Sequence, residues 1–123
     1  RSINRDKILK IFKKKIKMMK YLSFIDANNH VKASWFGIPI LLSKKINRNK
    51  FLKKIEKLGV ETRPIISGNF LKQPSIKKYK LNKKSNFKNS DIVNNHGFFI
   101  GLPTSTISDK NIKKLVGAFE KSL

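Results

Sequence analysis

The stretch SWFGIPILLSKKINRNKFLKKIEKLGVETRPII, residues 34–66, carries an apolar run, a helical pattern and a second apolar run in succession. The first run closes a strand candidate at Lys32–Leu42. Pro39 lacks a ladder donor, which predicts an edge strand, a bulge or a strand end at that point. Asn47 then reads as the N-cap of a helix in which Phe51, Leu52, Ile55 and Leu58 share one face. Gly59 closes that helix, because a left-handed residue after the last turn costs glycine little. Val60–Ile66 reads as a further strand.

Outward from this core, Arg5–Lys20 places Ile8, Phe12, Ile16 and Met19 at steps of four, four and three, the stripe of an amphipathic helix. A basic helix of this kind can lie on a membrane, but packing on its own domain is the expected use here. Tyr21–Ile25 is a strand candidate, and Asn28-Asn29 a turn. Downstream, Ser67-Gly68-Asn69 forms a turn into the loop Phe70–Pro74, followed by a short helix at Ser75–Tyr79 and a polar surface loop at Lys80–Lys88. Asn89–Asn95 reads as a helix capped by Ser90, and Gly97–Gly101 as a buried strand that Pro103 ends. Ser108 caps a last helix with Ile112, Leu115, Val116 and Phe119 on one face, and Asp109 suits its positive end. Helices segregated from a few strands predict a two-layer α+β domain over residues 1–123, with a small antiparallel or mixed sheet. The chain opens almost inside a helix and without an initiator Met, which suggests a fragment of something larger.

The chain has 123 residues, 39% apolar and 10% aromatic, enough for a core and too apolar for a disordered basic tail. It has no cysteine, so disulfides, thiolate metal sites and a cysteine nucleophile are excluded. No apolar run approaches the roughly 20 residues of a membrane span, and no secretory leader is visible, so a cytoplasmic protein without membrane partners is expected. The formal charge of +22 invites a polyanion partner. Yet only four of the 29 cations are arginine (Arg1, Arg5, Arg48 and Arg63), the residue preferred for phosphate and guanine-edge contacts. Lysine, isoleucine and asparagine together make up 53 of 123 residues, and their codons are largely A and T. A solvated lysine coat set by base composition is therefore favoured over nucleic-acid binding, which stays the alternative.

Metal chemistry is not expected: His30 and His96 lie 66 positions apart with no carboxylates clustered near either. There is no Gly-x-Ser-x-Gly elbow, and glycines 59, 68, 97 and 101 fit neither phosphate-loop nor dinucleotide fingerprints. No catalytic residue is assigned to this chain. The densest constellation is GVETRPIISGNFLKQP, residues 59–74, where Arg63 is the only cation between Lys57 and Lys72. Glu61 and Arg63 fall on one face of an extended chain. A guanidinium there can hold a phosphate or carboxylate, Glu61 can orient it or accept from a sugar hydroxyl, and Asn69 offers a donor and an acceptor. An ordinary surface ion pair followed by a turn fits the same residues equally well.

The run GVETRPIISGNFLKQP, with SWFGIPILL before it and NNHGFFIGLP after it, resembles the C-terminal domain of the DegT/StrS-type sugar aminotransferases. It is most similar to the branch containing the nucleotide-sugar 3-dehydrases. The resemblance spans essentially the whole chain. It implies the small lobe of a fold-type I pyridoxal-phosphate (PLP or PMP) enzyme acting on nucleotide-linked keto sugars, homodimeric when full length. It also implies a missing N-terminal large lobe that bears the Schiff-base lysine, or the histidine replacing it, together with the cofactor contacts. This fragment would then be inactive and hold no cofactor by itself. By position in the matched motif, Glu61, Arg63 and Asn69 fall at the substrate mouth, with Ser67 and Gln73 as weaker candidates. The lysine load and the Lys83-Lys84-Ser85 stretch depart from the family pattern.

Overall fold

The structure, a computed structural model, describes residues 2–79 and 86–123; most of the loop expected at 80–88, including Lys83-Lys84-Ser85, lies outside the described residues. Helix α1 spans Ser2–Ile16, strands β1 and β2 Leu22–Phe24 and Gly37–Leu42, and helix α2 Arg48–Lys57. Two short 3-10 turns follow at Phe70–Lys72 and Pro74–Lys78, then α3 at Lys88–His96, β3 at Gly97–Gly101 and α4 at Asp109–Ser122. The strands pair antiparallel in the order β1-β2-β3, and helices packed on this sheet give the α+β architecture that the sequence predicts.

Strand alternation divides the sheet into two faces. Ile38, Ile40 and Leu42 of β2 and Phe98 and Ile100 of β3 are buried, and pack with Phe12 of α1, Phe51 and Ile55 of α2 and Phe119 of α4. Phe119 is the hub: its ring centroid lies 5.2 Å from Phe12, 5.9 Å from Phe51 and 6.2 Å from Phe98. Residues on the opposite face, such as Pro39 and Phe99, are only half-buried.

The helix ends follow the expected caps where a side chain supplies one. Asn47 Oδ1 accepts from the Lys50 amide at 3.0 Å, and Ser108 Oγ from Asn111 at 3.3 Å. Gly59 sits at φ +85°, the left-handed position assigned to it. Ser90 does not cap α3: Phe87 occupies the N-cap position without a side-chain bond, and Ser90 lies within the helix. Helix α1 stops at Ile16 rather than Lys20, because a tight turn, with the Met19 amide on the Ile16 carbonyl at 2.8 Å, swings the chain into β1. The expected helix at Ser75–Tyr79 is the 3-10 turn Pro74–Lys78.

Two strand expectations are corrected. Pro39 lies inside β2, the central strand, rather than on an edge. The sheet tolerates it because β1 ends at Phe24, so the missing Pro39 N–H falls opposite Ile25, just past the ladder; the Ile25 amide still donates to the Pro39 carbonyl at 3.2 Å. Residues 60–66 do not form a strand. Only Arg63 pairs, with Phe99. In that register Ile65 would face Gly97, whose amide is already committed to the Val93 carbonyl at the end of α3, and Pro64 has no donor to give.

Candidate functional site

The five residues singled out from the sequence fall into two groups. The first is Glu61 and Arg63. The Arg63 amide donates to the Phe99 carbonyl at 2.9 Å and the Phe99 amide returns the bond at 2.8 Å. Directly paired residues of an antiparallel bridge present their side chains on the same face. Arg63 therefore shares the face of Phe99, the one turned away from α1, α2 and α4. Its Nε and Nη2 donate to Glu61 Oε1 at 3.0 and 2.5 Å, leaving Nη1 for a further acceptor. The two side chains are 66% and 75% exposed, so the pair itself adds little stability. Glu61 also borders a groove of about 640 Å³ between the end of α2 and α4, walled by Phe36, Val60, Leu102, Ile107 and Leu115.

The second group is Ser67, Asn69 and Gln73. Ser67 and Gly68 both adopt left-handed backbone, φ +57° and +53°, so the chain reverses within two residues. Gln73 Nε2 donates to the Ser67 carbonyl at 3.1 Å and closes the turn from below. Asn69 is only 6% exposed and its amide is engaged within the chain. Oδ1 accepts from Leu71 at 3.0 Å, starting the 3-10 turn, and Nδ2 donates to Asp91 Oδ1 at 2.9 Å. The Asn69 backbone amide donates to Asn94 Oδ1 at 3.3 Å. Asp91 also holds Lys72 Nζ at 2.7 Å; the hydrogen bonds from Lys72 and then Asn69 keep its carboxyl below the usual carboxylate range. The turn is thereby clamped to α3, close enough that a Cβ on Gly68 would lie 2.4 Å from Asn94 Oδ1.

Asp91, Asn94 and Phe99 were not legible as site residues. Asp91 stands 22 positions from Asn69, and in the sequence it reads only as an acid near the start of a helix. Arg48 was likewise passed over: its Nε donates to the Gly97 carbonyl at 2.9 Å, and burial lowers its pKa. Among the described residues there is no group of three or more His, Cys, Asp or Glu able to hold a metal ion. No described helix is long and apolar enough to cross a membrane.

Residues 2–120 match the DegT/DnrJ/EryC1/StrS aminotransferase family. The chain belongs to that family. A GDP-4-keto-6-deoxy-D-mannose 3-dehydratase of Yersinia pseudotuberculosis is 33% identical to this family member over 92 residues, which are 72% of this chain and 23% of the relative. A solved GDP-4-keto-6-deoxy-D-mannose-3-dehydratase of E. coli, with bound hydrated PLP, superposes with a TM-score of 0.84 at 26% identity, over 95% of this chain and 30% of that one. An aminotransferase of Helicobacter pylori, involved in the biosynthesis of pseudoaminic acid, superposes at 0.81 with 12% identity, a likeness of fold alone. The resemblance to the nucleotide-sugar 3-dehydrase branch is borne out, and the chain spans about a quarter to a third of these relatives' lengths.

PLP is the cofactor that this family implies. A Schiff-base lysine has to be desolvated to attack at neutral pH, and among the described residues the buried polar side chains are Asn69 and Ser122, with no lysine. The residues described here do not make a seat for PLP, and no step through it is assigned to them.

Proposed function

We propose that this chain is the C-terminal, substrate-side lobe of a PLP- or PMP-dependent enzyme that removes the 3-hydroxyl of a GDP-linked 4-keto-6-deoxy sugar. The observation that carries the reading is the match over residues 2–120, joined to 33% identity with a 3-dehydratase. The aminotransferases supply the second reading, of amino transfer to a nucleotide-linked keto sugar, on the strength of the shared family. The large N-terminal lobe would carry the cofactor and the lysine or histidine that chooses between the two reactions. The full-length protein would be a cytoplasmic homodimer, and residues 1–123 alone would be inactive.

Within this lobe the proposed division of labour follows exposure. Arg63 would hold a sugar or diphosphate oxygen through Nη1, with Glu61 fixing the guanidinium and accepting from a sugar hydroxyl. Ser67 would present its hydroxyl from the strained turn. Asn69 and Gln73 would position that turn rather than meet the sugar, since their amides are committed to Asp91, Leu71 and Ser67.

The test is to extend the reading frame upstream of Arg1 and assay the whole product on GDP-4-keto-6-deoxymannose with PLP and glutamate. Loss of the 3-hydroxyl supports the first reading, and transfer of an amino group the second. An open reading frame that starts at Arg1, or a whole product that takes up no PLP, overturns both.

A further inference from the structure

Lysine supplies 25 of the 123 residues, about one position in five, yet three stretches contain none: residues 33–43, 58–71 and 89–109. Burial explains only part of this. Phe36, Ile66 and Phe70 are 58%, 75% and 58% exposed, and most of residues 103–109 are exposed as well. The three stretches are far apart in sequence but meet in the fold: 33–43 contains β2, 89–109 contains β3, and 58–71 runs along the outer edge of β3 through the Arg63–Phe99 bridge. They converge on the sheet face opposite α1, α2 and α4. There Trp35, Phe36, Pro39, Ile65, Ile66 and Phe99 line a pocket of about 200 Å³ with no charged wall. The Phe36 and Phe99 rings pack edge to face at 5.4 Å. Helix α3 covers the end of this face next to Gly97 and leaves the remainder open.

An apolar face kept clear of the cation that coats every helix around it has the composition of an interface core, where lysine is depleted and aromatic side chains are enriched. We infer that this face is the seat of the large lobe, the part of the family protein that lies outside these residues; the inference rests on the reading under Proposed function that such a lobe precedes them. Two observations favour this occupant. The chain accounts for only 23% of the curated relative and 30% of the solved one, so most of the family protein has to pack somewhere on or around it. A second copy of this chain would bring +22 against +22, which opposes self-association through its own surface. Seating a lobe here would also change Arg63. Its guanidinium stands on the same face as Phe99, so the lobe would close over the rim where Arg63 and Glu61 meet, removing water and fixing the fork toward whatever anion lies between the lobes.

The absence of cysteine makes the test direct. Phe36→Cys and Ile66→Cys report on the face, and Lys53→Cys and Lys121→Cys on the lysine-coated helices, each in the protein expressed from its whole reading frame. Alkylation rates are read peptide by peptide by mass spectrometry. The face positions are expected to react about tenfold or more slowly than the lysine positions, as buried groups that require opening do. Radical footprinting of Trp35, Phe36 and Phe99 in the unsubstituted protein gives the same readout without any substitution, and protection is expected there too. Equal rates at all four positions, with the aromatic residues oxidised freely, would overturn the inference while leaving a PLP-loaded, active protein as evidence for the function. Protection that disappears on dilution would assign the face to a second copy and overturn the occupant. A reading frame with no large lobe would remove both the function and the seat.

Discussion

Arg63 and Phe99 exchange both backbone hydrogen bonds, at 2.9 and 2.8 Å, although no other residue of 60–66 joins the sheet. This single bridge decides where the guanidinium stands: on the open face, beside the Phe99 ring and tied to Glu61, rather than over the helices. The backbone of Arg63 is thus structural while its side chain is free for function. Arg63→Ala is expected to change unfolding stability by no more than about 1 kcal/mol, because the ion pair that it removes is exposed. Arg63→Pro, which deletes the amide donated to Phe99, is expected to cost about 1–3 kcal/mol. Urea denaturation of both variants checks this; a large loss in Arg63→Ala would mean that the side chain holds the fold.

Asn69 joins the turn to α3 through a donor that only an amide supplies. Asn69→Ala is expected to destabilise by about 1–3 kcal/mol, since it removes a cap and a buried hydrogen bond together. Asn69→Asp keeps the acceptor for the Leu71 amide but sets a second carboxylate against Asp91, and should be the worse of the two at neutral pH. Its deficit should shrink in acid as the two carboxylates share a proton. A denaturation series at two pH values separates the cases.

The Asp91 carboxyl is held below its ordinary range by Lys72 and Asn69, and the unfolded chain has no such partners. A carboxylate whose pKa is lower when folded contributes stability that is complete above the ordinary carboxylate range and is lost as pH falls through it toward the folded value. The stability gap between the native chain and Asp91→Asn should therefore be widest near neutrality and close on the acid side of that range. A gap that is independent of pH would show that Asp91 does not act through its charge.

The core makes a plainer prediction. Phe119 meets Phe12, Phe51 and Phe98, so Phe119→Ala leaves a cavity where α1, α2, α4 and β3 converge. A cost of about 3–5 kcal/mol is expected, enough to unfold a marginal protein, and a thermal melt reads it. The exposed Phe70 sits outside this cluster, and Phe70→Ala should melt within a few degrees of the native chain.

What could be read from the sequence was local. Asn47 and Ser108 announce their helices because a cap acts within four residues, and Gly97–Gly101 is recovered whole because a short apolar run between a helix end and a proline leaves few alternatives. Residues 60–66 carry strand-like composition, but whether they pair depends on Gly97, which α3 has already engaged from another part of the chain. Pro39 in the central strand is tolerated only because β1 ends where its donor would be needed, a fact about β1 rather than about Pro39. The candidate site divides in the same way. Glu61 and Arg63 are two residues apart and their pairing follows from strand period, whereas the Asn69–Asp91 and Arg63–Phe99 contacts join distant segments that no spacing rule connects.

The most direct test of the substrate-side reading is calorimetric titration of GDP-4-keto-6-deoxymannose into the cofactor-loaded full-length protein, native and with Arg63→Ala. The account predicts saturable binding to the native protein and affinity weaker by about tenfold or more in the variant, the loss of one charge-assisted contact, with the melting temperature unchanged. Equal affinity in the two proteins, or no binding to a native protein that holds its cofactor, would contradict it.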